Sequence, residues 1–297
     1  MATNGNLKCH LCPECNGLGC IGELPGLGGV YDNKNFQLNC EGWQILRNSL
    51  TSSQLEILKN IDVSNLKLRC GPVTGAVENI GYSKEENFYY PYLKAASDEK
   101  IGLCVGDGYP DEKLNFGLNA ISKINTKAAF FLKPYPDEIL QKRIIKIRDY
   151  AQFIGFDIDS YNILTMRKLV NLEKKTPLQL ENLRKSFDCP LVIKGIFTQE
   201  DIELVKEVKP DVVYISNHGG RVETRIGSVS EFLLKNSKML KNYCSQIWVD
   251  GGIRSKIDVQ TALYFGADQV IIARPFIHSV FTNGIEGMRN TIKGFLN

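Results

Sequence analysis

Eight short apolar runs, spaced along the chain from residue 66 onward, constrain its fold more than any other feature. Most of them are followed by charged, amphipathic stretches of helical length, such as Asp137–Tyr150, Pro177–Phe187, Gln199–Val208 and Ser228–Leu240. This alternation is typical of parallel βα units. The runs are Leu66–Cys70, Ile101–Val105, Ala128–Leu132, Phe153–Ile158, Leu191–Ile193, Val212–Ile215, Ile247–Val249 and Val270–Ala273.

The number of runs predicts an α/β fold, a (β/α)8 TIM barrel with a short Cys-rich N-terminal extension. An open doubly wound sheet would more often have fewer strands and a dinucleotide-binding glycine fingerprint. The 297 residues lie within the usual size of one barrel. We predict the barrel over residues 63–297, after a Cys-rich segment and a lead-in helix in residues 1–62. That helical region, Gln44 to Ile61, breaks near Thr51, where a new N-cap fits.

The charge and cysteine content narrow the class of protein. The 36 basic and 33 acidic residues form no long run of one sign, which argues against a nucleic-acid or membrane-surface partner. No apolar segment approaches the roughly 20 residues that span a bilayer, and the N-terminus has no apolar secretion core. Five of the nine cysteines are scattered through core-like segments, which favours reduced thiols over a disulfide framework. We therefore expect a cytoplasmic protein.

Four cysteines lie within twelve residues near the N-terminus. Thiolates this close repel one another unless a metal neutralises them, and the intervening Gly and Pro residues permit tight turns. Their spacing is nearer to the compact runs that hold iron–sulfur clusters than to two separated zinc knuckles. An iron–sulfur cluster, zinc and a reduced tail without metal are the alternatives. The candidate ligands are Cys9, Cys12, Cys15 and Cys20.

Polar and glycine residues follow the apolar runs, and in a barrel these strand ends form the site. His218 follows the sixth run, in Ser216-Asn217-His218-Gly219-Gly220-Arg221, and is the first candidate for a base acting near neutral pH. Lys194 ends the fifth run, where a buried cation needs an anionic or electron-rich partner or a structural salt bridge.

The ends of the last two runs predict a phosphate site. Gly251 and Gly252 let backbone N–H groups approach an anion, and Arg254 and Arg274 supply guanidinium forks that suit phosphate oxygens. Barrels commonly bind a phosphate after their last two strands.

These motifs resemble the FMN-dependent α-hydroxy-acid oxidase and dehydrogenase family, to which glycolate oxidase, lactate oxidase and mandelate dehydrogenase belong. The resemblance is specific between residues 190 and 280, is looser between 66 and 165, and extends near the N-terminus to short, cysteine-bearing clostridial-type members. The motifs are Leu191–Gly195, Ser216–Arg221, Asp250–Arg254, Asp258-Val259, Ala262-Leu263, Gly266–Asp268 and Arg274-Pro275.

The resemblance implies a flavin enzyme that oxidises a small 2-hydroxy acid to the 2-oxo acid. His218 would take a proton from the substrate while the α-hydrogen goes to flavin N5, as a hydride or by way of a carbanion. Arg221 would bind the substrate carboxylate, Lys194 would stabilise the reduced flavin near N1 and O2, and Tyr135 would supply an active-site hydroxyl. The implied FMN contacts are Pro72, Val73, Thr74, Lys133, Lys194, Ser216, His218, Arg221, Asp250, Gly251, Gly252, Arg254, Ala273 and Arg274.

Several positions depart from the family pattern. Lys133 replaces the Gln of a Gln-Leu-Tyr segment, which puts a cation near the flavin pyrimidine edge. Asp157-Ile158-Asp159 replaces Thr-Val-Asp, Ala273 replaces a glycine, and Arg167 is the counterpart of a second carboxylate-binding arginine. These differences leave FMN binding better supported than 2-hydroxy-acid turnover.

Two other functions are compatible with the same residues. One is a flavin-dependent non-redox isomerase of the isopentenyl-diphosphate type. The other is a flavin and metal redox sensor or electron-transfer protein, whose cysteine cluster communicates with an electron-acceptor protein. Family analogy alone also suggests a homo-oligomer.

Overall fold

The structure is a computed structural model, and it describes residues 34–162, 170–222 and 224–297. Its strands form one parallel sheet in the order β1-β8-β7-β6-β5-β4-β3-β2, and a bridge between Arg69 and Gly102 joins the two ends. The predicted (β/α)8 barrel is therefore confirmed. The strands are β1 Leu68–Cys70, β2 Cys104–Gly106, β3 Ala128–Leu132, β4 Ala151–Asp157, β5 Leu191–Ile196, β6 Val212–Ile215, β7 Gln246–Val249 and β8 Gln269–Ile272.

The helices follow the predicted amphipathic stretches. The break near Thr51 is confirmed, because Thr51 forms a capping box with Gln54 at the start of a new helix. The long C-terminal helix contains a kink at Gly284. The helices are α1 Lys34–Asn48, α2 Ser52–Lys59, α3 Glu86–Asp98, α4 Glu112–Ile124, α5 Asp137–Ile147, α6 Pro177–Arg184, α7 Gln199–Val208, α8 Val229–Leu240, α9 Lys256–Tyr264 and α10 Arg274–Leu296.

Aromatic side chains fill the interior of the barrel. Phe131, Tyr214 and Trp248 pack together, with edge-to-face ring contacts from Phe131 to both of the others. Arg69 closes the end where the strands begin, its guanidinium 4.2 Å from the Trp248 ring centroid. The opposite rim, where the strands end, is left to carry the site. Within the described ranges, no helix is both long and apolar enough to cross a membrane.

Several sequence-based candidates lie outside the described residues. They are Cys9, Cys12, Cys15, Cys20 and Arg167.

Candidate active site

His218 lies in a tight turn directly after β6, which we call the His218 turn (residues 217–222). His218, Gly219 and Gly220 all have left-handed backbone conformations, with φ of 56°, 67° and 94°. The Asn217 side chain accepts a hydrogen bond from the Gly220 N–H at 3.0 Å, and Ser216 Oγ accepts one from the His218 N–H at 3.1 Å. A non-glycine residue adopts this backbone only where its surroundings impose it.

The His218 imidazole faces one group on β5 and one just after the end of β4. Its Nδ1 lies 3.3 Å from Asp159 Oδ1 and 3.4 Å from Lys194 Nζ. Burial and the Lys194 charge hold the pKa of His218 well below its usual value, although Asp157 acts in the opposite direction. The ring is therefore neutral near pH 7, as a general base must be.

Lys194 has the anionic partners that its position at the end of a buried run requires. Its Nζ donates to Asp157 Oδ1 at 2.6 Å and lies 3.5 Å from Asp159 Oδ1. Burial alone would lower the pKa of Lys194, but these two carboxylates raise it. The lysine is charged, and the salt bridge places it beside His218 rather than removing it from the site.

Asp157 bridges two lysines. Lys133 Nζ lies 3.3 Å from Asp157 Oδ2 and 3.0 Å from Ser160 Oγ, and that hydroxyl donates to the same carboxylate oxygen at 2.6 Å. Burial opposes ionisation of Asp157, yet the charges of Lys194 and Lys133 hold its pKa well below the usual range. For Asp159, burial and the neighbouring Asp157 charge raise the pKa well above the usual range. Asp159 therefore takes up a proton more readily than Asp157.

The same residues have the outline of a metal site. Ligand atoms of Asp157, Asp159 and His218 all lie within 4.8 Å of one another. Lys194 Nζ, however, is 2.6 Å, 3.5 Å and 3.4 Å from the respective atoms of these three groups. An ammonium group already supplies the positive charge at this position, so we assign no metal to it.

Arg221 and Tyr135 each present a buried polar atom that lacks a partner among the described residues. Arg221 Nε and Tyr135 Oη have no hydrogen bond within the described part of the chain. Burial lowers the pKa of Arg221 to about 10. The Tyr135 ring packs under Arg143, whose Cζ lies 4.4 Å from the ring centroid and which pairs with Asp107 at 2.7 Å. The structure thus groups Tyr135 with Asp107 and Arg143 at the ends of β2 and β3.

The predicted phosphate residues meet at the ends of β7 and β8. The guanidinium carbons of Arg254 and Arg274 lie 6.0 Å and 4.0 Å from the ring centroid of Phe36 on α1. Asp250 Oδ2 accepts hydrogen bonds from Tyr214 and Ser216 at 2.9 Å and 3.0 Å, while its Oδ1 is buried without a partner in the described ranges.

Glycine is required at the two positions after Asp250 by the backbone conformation and by the packing of α1, and not only by an approaching anion. Gly251 and Gly252 have φ of 88° and 76°, and a Cβ on Gly252 would lie 1.9 Å from the backbone oxygen of Asn39. Trp43 Nε1 donates to the Gly251 carbonyl at 2.8 Å. Helix α1 therefore packs directly on this turn, and the missing side chain is what allows the contact.

The remaining predicted cofactor residues share the same rim. A Cβ on Gly106 would lie 2.5 Å from the Pro72 carbonyl oxygen, and one on Gly71 would lie 2.8 Å from Ala273 Cβ. The turns after β1, β2 and β8 are thus packed together closely. This places Pro72, Val73, Thr74 and Ala273 on the side of the barrel mouth across from His218.

Two groups of residues at this rim were not assigned as site residues from the sequence. Asp157 and Asp159 were noted only as departures from a family pattern, although they face Lys194 and His218. Asn35 and Asn39 lie on α1, which begins ten residues before the predicted helical region. Their spacing from Trp43, i, i+4 and i+8, was the available signal, since it places all three on one helix face.

Residues 145–297, just over half of the chain, match a protein family described as FMN-dependent dehydrogenase. A 2-hydroxyacid oxidase from Dictyostelium discoideum is 38% identical over 109 residues, which cover 37% of this chain and 28% of that protein. An L-lactate dehydrogenase from Vibrio parahaemolyticus is 34% identical over 147 residues, which cover 50% of this chain and 35% of that protein. The chain thus spans about a third of the length of these relatives.

Solved structures of similar fold include mandelate oxidases. A mandelate oxidase variant with 4-Br-2-hydroxy-methylphenylacetate has a TM-score of 0.66 and 19% identity, covering 92% of this chain and 89% of that one. Mandelate oxidase with (S)-4-hydroxymandelic acid has a TM-score of 0.62 and 20% identity, covering 80% of this chain and 75% of that one. At such identity the likeness supports the barrel fold.

Proposed function

Because the chain belongs to the FMN-dependent dehydrogenase family, we propose that it binds FMN and oxidises a small 2-hydroxy acid to the corresponding 2-oxo acid. The names of its relatives, 2-hydroxyacid oxidase and L-lactate dehydrogenase, support this substrate class. The observation that carries the proposal is a neutral base, His218, on the same short turn as a buried guanidinium atom of Arg221 that has no partner in the described protein.

The donor set at the rim fits FMN. Arg254 and Arg274 suit the phosphate, and Lys194 and Lys133 suit the electron-rich pyrimidine edge of the ring. Buried polar atoms without partners are uncommon, and a polar ligand at the rim would satisfy them. In the described ranges these atoms include Asp159 Oδ2, Arg221 Nε, Asp250 Oδ1 and Tyr135 Oη.

The protein groups then have separate tasks in the reaction. When bound, FMN supplies the acceptor for the two electrons that leave the substrate. Arg221 binds and orients the substrate carboxylate. His218 Nδ1 faces Asp159 and Lys194, which leaves Nε2 to accept the hydroxyl proton. The Asp157 carboxylate, whose Oδ1 lies 3.7 Å from Nδ1, stabilises the imidazolium that forms.

Reconstitution with FMN followed by anaerobic mixing with a panel of 2-hydroxy acids tests the proposal. We expect FMN to bind with quenching of its fluorescence and at least one 2-hydroxy acid to bleach the flavin absorbance. The matched 3-hydroxy acids should leave it unchanged, because their hydroxyl is displaced by one carbon from the carboxylate held by Arg221. Failure to bind FMN would refute the proposal, and binding without net electron transfer to any acceptor would favour the flavin-dependent isomerase.

We also propose that Cys9, Cys12, Cys15 and Cys20 bind a metal, as an iron–sulfur cluster or zinc, on the support of their spacing alone. Metal analysis and an absorbance spectrum of anaerobically purified protein distinguish the two. A cluster would also supply a route to an electron-acceptor protein. Absence of both metals, with Cys→Ser variants of unchanged stability and activity, would refute the site.

We further propose a reducing, cytoplasmic setting. Cysteines scattered through the described barrel support it, because Cys40, Cys70, Cys104, Cys189 and Cys244 are all free thiols. Fractionation of the native cells with detection of the protein checks it.

A further inference from the structure

We propose that α1 is a working part of the active site, in which Asn39 and Asn35 are positioning residues that hold the two ends of the His218 turn. This inference deepens the proposed function, because the turn carries both the proposed base, His218, and the proposed carboxylate ligand, Arg221. It concerns two buried amides that are 178 and 187 residues away along the chain from the groups they contact.

Asn39 holds the start of the turn. Its Nδ2 donates to Asn217 Oδ1 at 2.7 Å, and Asn217 Nδ2 donates back to Asn39 Oδ1 at 3.2 Å. The same Asn217 oxygen accepts the Gly220 N–H inside the turn. Asn39 Oδ1 also accepts the Val229 N–H at 3.0 Å, at the start of α8. The Asn39–Asn217 pair therefore connects α1 to the hydrogen bond that closes the turn around His218.

Asn35 holds the end of the turn, one helical turn earlier on the same face of α1. Its Nδ2 donates to the carbonyl oxygens of Val222 and Arg225 at 2.8 Å and 2.9 Å. Its Oδ1 accepts the Gly227 N–H at 2.9 Å. Since Val222 directly follows Arg221, this contact fixes the backbone from which the Arg221 side chain extends.

The backbone of the turn explains why it needs such support. Three successive residues have positive φ, and one of them is His218, for which this conformation is sterically costly. A strained conformation persists only where surrounding contacts over-determine it, and such strain occurs preferentially at functional sites. Asn217 alone provides a local cap, while Asn39 fixes Asn217 itself from outside the turn.

Helix α1 has attachments of its own that do not depend on either asparagine. Trp43 Nε1 donates to the Gly251 carbonyl, and Arg47 Nη1 pairs with Asp258 at 2.7 Å and donates to Thr261 Oγ1 at 3.1 Å. These contacts anchor the helix to the β7 end and to α9. Loss of one asparagine side chain should therefore loosen the turn while α1 remains docked.

The two asparagines should produce different kinetic defects. Asn39→Ala frees the His218 end, so we expect kcat/KM to fall by at least about tenfold, since small misplacements of catalytic groups are costly. Asn35→Ala frees the Arg221 end, so we expect KM for the 2-hydroxy acid to rise more than kcat falls. Gln44→Ala is the matched control, because Gln44 is an exposed amide on the same helix.

The pH profile separates positioning from general destabilisation. In Asn39→Ala, a displaced His218 would be less buried and farther from the Lys194 charge, so its pKa would rise toward its ordinary value. The acid limb of kcat/KM should then move to higher pH, while Gln44→Ala keeps the wild-type limb. The facing groups are Lys133, Asp157, Asp159, Lys194 and Arg221.

Hydrogen exchange provides a readout that does not depend on FMN or turnover. Asn39→Ala should speed amide exchange in residues 217–222 of the purified chain, and Gln44→Ala should not. Faster exchange together with the kinetic split supports the positioning role. The positioning role is overturned if Asn39→Ala exchanges residues 217–222 at the wild-type rate. It is also overturned if Asn39→Ala is only less thermally stable, with unchanged kinetics and pH profile per bound flavin. A wild-type protein that binds no FMN refutes the proposed function instead. The exchange result still decides whether Asn39 holds the His218 turn.

Discussion

At the scale of single residues, His218 combines a costly backbone with a perturbed side chain. Its positive φ directs the imidazole into the space between Lys194 and Asp159, where burial and the lysine charge depress its pKa. A neutral imidazole can accept a proton, and the nearby Asp157 carboxylate is suited to stabilise the charge that results.

Replacing His218 should remove proton abstraction and leave cofactor binding in place. We expect His218→Ala to lower the rate of flavin reduction by a 2-hydroxy acid by about 10²–10⁴-fold, the usual contribution of general base catalysis. FMN affinity, measured by fluorescence titration, should change little. An undiminished reduction rate in this variant would remove the assigned role.

The depressed pKa of His218 also predicts the pH dependence of the wild-type protein. A base is active when deprotonated, so a pKa below the ordinary 6.5 keeps His218 active on the acid side of that value. The acid limb of kcat/KM should therefore lie below pH 6.5. A limb at or above that pH would contradict the electrostatic account of the site.

A substitution of Lys133 tests how much its buried ion pair with Asp157 contributes to stability. Lys133→Gln leaves Asp157 with Lys194 as its remaining lysine partner, and breaking a buried ion pair on one side costs up to about 3–5 kcal/mol. Folding lowers the pKa of Asp157. The difference in stability between the wild type and Lys133→Gln should therefore be full above the unfolded pKa of Asp157 and shrink as the pH falls below about 4. Urea unfolding at several pH values measures this.

The matched control for that experiment is Lys127→Gln. Lys127 is exposed just before β3, whereas Lys133 is buried just after its other end. Lys127→Gln should change the free energy of unfolding little at every pH. Equal effects of the two substitutions would mean that the Lys133–Asp157 contact contributes nothing measurable.

At the scale of elements, the C-terminal ends of the barrel strands and helix α1 form the site together. Gly252 is the point where α1 and the β7 turn come closest. We expect Gly252→Ala to displace α1, because its Cβ would overlap the Asn39 carbonyl and its φ of 76° is unfavourable for alanine. The variant should have a lower melting temperature and weaker FMN binding.

Gly294→Ala provides the comparison for Gly252→Ala. Gly294 is exposed in α10, and an added Cβ would meet nothing within 4 Å. Alanine in a helix interior is favoured over glycine by up to about 1 kcal/mol, so this variant should be neutral or slightly more stable. Similar destabilisation by both substitutions would argue against the close packing of α1.

Sequence patterns located the elements better than they located their ends. Ala128–Leu132 and Val212–Ile215 were predicted to the residue because they are apolar runs bounded by polar residues. β5 continues through Ile196, past its charged Lys194, which pairs with the Asp157 carboxylate at the end of β4. The start of α1 was missed because its buried face contains asparagines, which a hydrophobic pattern does not reveal.

At the scale of the whole molecule, the barrel explains why distant motifs could be assigned to one site before the structure was known. The C-terminal ends of parallel strands meet at one rim, so His218, Lys194 and the Asp250–Arg254 motif had to converge once eight strands were identified. The pairing partners could not be foreseen in the same way. Asp157 with two lysines, and Asn39 with Asn217, depend on side-chain geometry across elements.

The proposed reaction requires FMN, the base His218 and a 2-hydroxy acid together, and its product stoichiometry is the sharpest measurement of whether it occurs. FMN-loaded protein is mixed anaerobically with an excess of each 2-hydroxy acid, and the 2-oxo acid is measured by chromatography against the flavin bleached. We predict equal amounts of 2-oxo acid and bleached flavin for at least one substrate, and neither within the same interval for His218→Ala. Bleaching without a 2-oxo acid, or a His218→Ala protein that matches the wild type, would contradict the account.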